Sequence, residues 1–274
     1  MTSDPFDRLQ YYYSHNNEET RLAKVMGKLE FLRSQEIVQR HLPPPPAVII
    51  DIGGAAGIYS CWLAREGYEV HLIDMVAGLV AQALEASSRQ PNTPIASCRV
   101  GDARKLEFPD DYADAVLMFG PLYHLVARSD RLTALHQARR VLKSGGVLFA
   151  AGISRFASAI DGLVHGHVWD SEFKKIMEQD LRDGQHRNHT TKIEYFTDAF
   201  FHEPAELQSE VLAAGFSMPQ VLPIEGIGFL LTNLESYWQD EEKKNSFLAV
   251  LKSLETSSAL SGATAHLMCI ATKP

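Results

Sequence analysis

Once past the four prolines Pro43 to Pro46, the chain alternates short apolar runs with amphipathic stretches, and that alternation leaves few folds open. Ala47 to Ile50 is a compact, β-rich run. A Gly-rich turn follows, then a helix over about Ile58 to Glu66 that Gly67 is placed to end in the left-handed conformation. Glu69 to Ile73 reads as a second strand and Val76 to Ser88 as a second helix, stopped before Pro91. Further strands are predicted at Ser97 to Val100, Ala113 to Phe119 and Val147 to Ile153. A helix from Arg131 to Leu142 takes Ser129 or Asp130 as its cap and closes on Gly145-Gly146. Apolar strands separated by amphipathic helices imply a parallel sheet covered on both faces, an α/β protein.

The regularity breaks between Arg155 and Glu203, a polar and His-rich segment that reads as an insert over the sheet. It resumes with Pro204 in the first turn of a helix ending at Gly215. Strands are then expected at Gln220 to Ile224 and Thr264 to Ala271, with one helix from about Leu234 to Leu254. Ahead of the prolines, Leu22, Val25, Met26, Leu29 and Leu32 recur at helical spacing, one apolar stripe on a helix that must dock on something. Two units follow: residues 1–46 as a helical cap with a proline connector, and 47–274 as the main domain carrying a substrate-cap insert at 155–203.

Composition narrows the function classes. The 274 residues are 45% hydrophobic and 22% charged, an ordinary globular balance. The net charge of −8 weighs against nucleic-acid and anionic-membrane partners. The N-terminus lacks a basic and an apolar secretory region, and the longest apolar stretch, near Ala115 to Val126, is too short to span a bilayer. Cys61, Cys98 and Cys269 have no paired spacing, so a disulfide framework and a zinc site are not indicated and a reducing cytoplasm fits.

The chemistry concentrates where strands end. Val48-Ile-Ile-Asp51-Ile-Gly53-Gly54-Ala55-Ala56-Gly57 carries the first strand into the first helix; its small residues admit a ligand close to backbone, and the helix start adds N–H donors. Asp74 ends the second strand, followed by Met75, where a carboxylate accepts two ribose hydroxyls. Gly101-Asp102-Ala103 follows the third strand, where an acid takes a hydrogen bond from an adenine amino group. An adenosine-containing ligand is implied. Asp51 would repel a pyrophosphate and suits a tail with an ammonium group, which disfavours a nicotinamide-dependent dehydrogenase and favours S-adenosylmethionine (SAM).

These ordered motifs resemble the class I SAM-dependent methyltransferases from roughly Val48 to the C-terminus, the insert apart. Asp51-x-Gly53-x-Ala55-x-Gly57 looks like the first motif of that family, with Ala55 departing from its middle glycine. Asp114 to Phe119 with Gly120 resembles the fourth strand and its exit, Leu142-Lys-Ser-Gly-Gly-Val147 the turn into the fifth, and Leu212-Ala-Ala-Gly215-Phe216 the entry to a reversed final hairpin. The resemblance implies a Rossmann-like, seven-stranded, mostly parallel sheet with a reversed last strand, SAM as cofactor and S-adenosylhomocysteine (SAH) as product. Gly120-Pro-Leu-Tyr123-His124-Leu125 and Gly27-Lys-Leu-Glu-Phe31-Leu-Arg33 look like a bacterial small-molecule branch. The expected reaction is in-line methyl transfer to an O or N atom of a small molecule. RNA or protein methylation and non-catalytic SAM binding stand as alternatives, and a homodimer stays open through the apolar stripe of the cap.

His124 is the expected general base for an acceptor that carries a proton, with Tyr123 orienting it. Tyr12 and Tyr13, from the run Tyr11-Tyr12-Tyr13, and the insert histidines His165, His189 and His202 are expected at the substrate. His165-x-His167 with Asp170 lacks a recognised ligand spacing, so no metal is expected.

Overall fold

The computed structural model describes residues 5–15, with side chains from Arg8 onward, and 24–274. Its helices and strands, in chain order, are α1 (Pro5–His15), α2 (Val25–Gln39), β1 (Val48–Ile52), α3 (Ile58–Arg65), β2 (Glu69–Asp74), α4 (Ala77–Ser88), β3 (Ser97–Val100), β4 (Ala113–Met118) and α5 (Pro121–His124). There follow α6 (Arg128–Val141), β5 (Leu142–Ser154), α7 (Ala157–His165), α8 (Ser171–Asp183), β6 (Gln185–His186), β7 (Ala199–His202), α9 (Pro204–Ala213), β8 (Ser217–Pro223), α10 (Leu234–Trp238), α11 (Glu241–Leu254) and β9 (His266–Thr272).

Five strands run parallel in the order β3-β2-β1-β4-β5. Beside β5 lies β9, antiparallel, and β8 pairs antiparallel with β9, so β9 is the reversed strand. These are the seven strands the sequence implies. Two more come from the insert: β7 joins the end of β5 at Ile153 and Ser154, and β6 pairs with β7, making nine among the described residues. The insert is therefore partly an extension of the sheet, a role that four-residue β7 could not announce by periodicity.

The alternation of side chains along each strand builds two cores. Ile50 and Ile52 of β1 and Val116 and Met118 of β4 face Leu135, Ala138 and Leu207 on α6 and α9. Ile49, Ala115 and Leu117 face the other way, onto Trp62 and Leu63 of α3 and Ala83 of α4, with Ile37 and Val38 of α2. All of the strand residues named are at most 1% exposed. Truncating one of the large ones to alanine costs about 2–5 kcal/mol.

Three boundaries differ from expectation. Helix α6 begins at Arg128, with Ala127 and not Ser129 or Asp130 at its cap, and passes directly into β5 at Leu142. Gly145 and Gly146 do not end that helix; Gly145 N–H donates to the Lys273 carbonyl and Lys273 N–H to Gly146, stitching β5 to the end of β9. The single helix expected from Leu234 to Leu254 is two, because Asp240 caps α11 by accepting the Lys243 N–H.

In α2, Leu29, Arg33 and Ile37 form the buried row and Met26 is exposed; Leu22 lies outside the described residues. Leu29 packs on Leu234 and Leu251, and the buried Arg33 pairs with Glu255 at 2.5 Å. Leu29, the buried member of the stripe, is thus covered within the chain. Among the described residues, no helix is long and apolar enough to cross a membrane. Cys61 and Cys269 are buried and Cys98 half-buried, and burial pushes the last two thiols up to about 12 and about 11.

Candidate functional site

The C-terminal ends of β1, β2 and β4 and the start of β9 open into a cavity of about 400 Å³. A parallel sheet sends its strand-to-helix turns to this one edge, which is why residues far apart in sequence meet there. Asp51, Gly53, Gly54, Ala55, Asp74, Met75, Asp102, Ala103, Phe119, Gly120, Tyr123, His124 and Tyr13 all line it.

The first turn is tied to the sheet, since Gly53 and Gly54 N–H both donate to the Ile73 carbonyl at 2.7 and 3.2 Å. A Cβ on Gly54 would stand 2.8 Å from both Asp51 Oδ2 and the Leu72 side chain, so only glycine leaves this cradle open. Ala55 has φ of 47°, the left-handed region, so the residue that departs from the glycine pattern does adopt a glycine-like backbone. Gly57 does not line the cavity. Its φ of 81° starts α3, and a Cβ there would press on Ala83 at 3.0 Å, so helix packing explains it.

Three carboxylates mark one half of the cavity. Asp51 is 1% exposed and accepts the Ser60 hydroxyl at 2.7 Å; burial pushes its pKa up to about 7, and nearby Asp74 adds to the rise against the Ser60 bond. Asp74 accepts N–H groups of Ala55 (3.0 Å) and Val76 (2.8 Å), and burial holds its pKa above the usual range despite those bonds. Asp102 is gripped by Arg104, which also donates to Asp130 at 2.9 Å; the Arg104 bonds keep Asp102 below the usual carboxylate range. Sequence reasoning placed Asp102 at this edge but missed Arg104 and Asp130, which also line the cavity.

The other half is aromatic. Phe119 meets Tyr59 edge-on at 4.9 Å, and Tyr123 donates its hydroxyl to the Phe119 carbonyl at 2.6 Å. His124 Nε2 and the Tyr13 hydroxyl lie 2.9 Å apart, and Phe196 stacks on His124 at 5.7 Å. Burial pushes His124 down to about 3, only partly opposed by the Asp198 backbone, so the ring is neutral at physiological pH. A nitrogen that weakly basic makes a poor acceptor for a proton, so the site favours His124 as the holder of Tyr13 and α1.

Four residues expected at the substrate stand elsewhere. Tyr12 packs edge-on against the far side of Phe196 at 5.1 Å and lines a second cavity with Arg8 and Lys192. His165 is exposed and pairs with Asp161 at 2.9 Å, while Asp170 caps α8 through the Glu172 and Phe173 N–H groups. His189 is exposed and lines neither cavity. His202 is fully buried on β7, 3.4 Å from Glu210, in the core behind the sheet. Histidine content alone does not separate a core partner of a carboxylate from a pocket wall.

Residues that the sequence did not single out also reach the cavity: Glu30 and Ser34 from α2, Tyr59 from α3, Asp198 before β7, and His266 at the head of β9. A polar pair at i and i+4 on an otherwise docking helix was the available signal for the first two.

Residues 50–150 match the family described as methyltransferase domain. The chain is 31% identical over 162 residues to the ubiquinone/menaquinone biosynthesis C-methyltransferase of Caulobacter vibrioides, covering 55% of this chain and 59% of the relative. It is 30% identical over 154 residues to the malonyl-[acyl-carrier protein] O-methyltransferase of Methylococcus capsulatus, covering 52% and 53%. The chain thus spans little more than half the length of these curated relatives. In fold, it is similar to a SAM-dependent methyltransferase of Thermotoga maritima described as a possible histamine N-methyltransferase, with a TM-score of 0.59 over 99% of this chain and 100% of that one, at 17% identity.

Proposed function

From the premise that this chain carries a class I SAM-dependent methyltransferase domain, we propose that it is an enzyme that methylates a small-molecule acceptor. One observation carries the reading: the buried Asp51 and Asp74 and the half-buried Asp102 stand at the ends of three adjacent strands around a single cavity. Bound SAM supplies an electrophilic methyl group on a sulfonium. Asp51 suits the ammonium of its tail, and the Gly54 cradle suits the tail's close approach. Asp74 suits the ribose hydroxyls and Asp102 the adenine amino group.

The chain's own contribution is alignment and exclusion of water. Phe119, Tyr59 and Tyr123 form an apolar wall, and α1 closes over it through Tyr13 and Leu9. The curated relatives are named for transfer to carbon and to oxygen, so carbon joins the O and N atoms expected from sequence as a destination. An acid-rich cavity and a net charge of −8 favour a small molecule over nucleic acid. Three unpaired thiols favour a reducing, cytoplasmic setting. Leu29 of the α2 stripe packs on Leu234 and Leu251 of the same chain, which leaves less of the stripe for a second subunit.

Calorimetry with SAM and SAH tests the reading. Both are expected to bind, and Asp74→Ala is expected to weaken them at least tenfold. A folded protein that binds neither refutes it.

A further inference from the structure

In sequence, Asp170 is the carboxylate set beside His165 and His167, but the fold brings them another. Asp170 is committed, capping α8 and pairing with Lys192. Asp161 takes its place. It stands one turn ahead of His165 on α7, so the two side chains share a helix face. Gly166, at φ of 79°, then turns the chain and brings His167 back toward the same carboxylate. His165 Nδ1 lies 2.9 Å from Asp161 Oδ1, and His167 Nε2 lies 4.0 Å from Oδ2. One ligand atom from each of the three falls within 4.8 Å of the other two. The rings of Phe173 and Tyr195, 5.4 and 5.5 Å from that of His167, hold it in this orientation. None of the three residues lines the cofactor cavity.

Two imidazole nitrogens and a carboxylate oxygen are a donor set for Zn²⁺, held at about 2.0–2.2 Å in tetrahedral sites with neighbouring donors about 3.3 Å apart. The separations of 2.9 and 4.0 Å bracket that spacing, so side-chain rotation brings the trio around one ion. We propose that Asp161, His165 and His167 form a zinc site on the insert, with water as the fourth ligand, separate from the methyl-transfer cavity. The ion replaces the hydrogen on His165 Nδ1; that hydrogen goes to solvent, and the ring carries one on Nε2. Bound there, zinc ties the end of α7 to the turn that enters α8. The described residues hold one other such trio, Glu30, Glu225 and His266. Its carboxylate is committed, since Glu225 Oε2 accepts the Thr264 hydroxyl and the His266 N–H, and Oε1 meets His266 Nδ1. Among the described residues, the Asp161 carboxylate pairs with His165 and His167 alone.

Calorimetry with ZnCl₂ and the metal-free protein tests the site. One equivalent of Zn²⁺ is expected to bind with micromolar affinity. Asp161→Asn, His165→Gln and His167→Gln should each weaken it about tenfold or more, while His266→Gln should leave it unchanged. Unaltered far-ultraviolet circular dichroism shows that the variants fold. His167 packs on Phe173 and Tyr195, so the exposed Asp161 and His165 carry the test if His167→Gln does not fold. No heat of binding, an affinity that survives the variants, or an affinity lost in His266→Gln overturns the proposal. Zinc that competes with SAH also overturns it, because the ion would then sit in the cofactor cavity. Failure of SAH to bind counts against the methyltransferase reading and leaves this site to be judged on zinc alone.

Discussion

The Tyr13 hydroxyl of α1 sits 2.9 Å from Nε2 of His124, a hydrogen bond that spans 111 positions of sequence and pins the N-terminal helix over the cavity. Arg8 adds a second tie, to Asp198 at 2.5 Å. Removing the Tyr13 hydroxyl leaves a buried imidazole nitrogen without its partner, which costs about 1–3 kcal/mol. Tyr13→Phe is therefore expected to lower the unfolding free energy in urea by about 1 kcal/mol or more and to speed release of bound SAH. An unchanged release rate would show that α1 does not gate the cavity.

Asp51 titrates near 7 in the folded chain against 3.8 as an ordinary aspartate. With the folded value raised, its contribution to stability is fully present below pH 3.8 and is lost as pH rises to about 7. Ligand binding has the opposite sign, since an ammonium pairs with the ionised form. SAH affinity is expected to rise with pH up to about 7 and then level off. Asp51→Asn should flatten that profile and weaken binding by roughly tenfold or more, the worth of a charge-assisted hydrogen bond. Calorimetry at several pH values measures both effects.

Ala55 holds φ at 47° without the freedom of glycine. A left-handed backbone costs an ordinary residue about 1–2 kcal/mol, part of which glycine returns through greater unfolded-state entropy. Ala55→Gly is expected to raise the melting temperature by about 2 °C and to leave SAH affinity unchanged or improved. A drop in melting temperature would show that the alanine methyl packs usefully.

Behind the sheet, Arg131 forks both oxygens of Glu210 at 2.7 and 2.8 Å, with His202 at 3.4 Å. Burial opposes the charge of Glu210, but the Arg131 bonds win and draw its pKa down to about 2. Its stabilising contribution is present above pH 4.5 and is lost only as pH falls through about 2. Arg131→Met removes both short bonds to a buried carboxylate, leaving it His202 at 3.4 Å and Arg128 at 3.6 Å, and is expected to destabilise by about 3 kcal/mol in chemical denaturation. SAH affinity of the folded fraction should not change. A loss of affinity would place this network in the site.

The sequence itself determined the framework. Apolar runs of five or six residues, spaced by amphipathic stretches, dictate a covered parallel sheet, and small residues and acids just past the strand ends mark the crevice; Asp51, Asp74 and Asp102 reach the cavity for that reason. These signals are local, so they survive without knowledge of the third dimension. Tertiary structure alone decided the other half. Whether a histidine is a cavity wall or a core partner depends on which carboxylate the fold brings beside it: Glu210 takes His202 into the core, whereas Glu225 holds His266 at the cavity. Glu30 and Ser34 read as an ordinary helix face until α2 docks, and the short β7 gains strand identity from the end of β5 and from β6. Long-range packing sets burial, and burial and neighbouring charge set what each polar side chain can do.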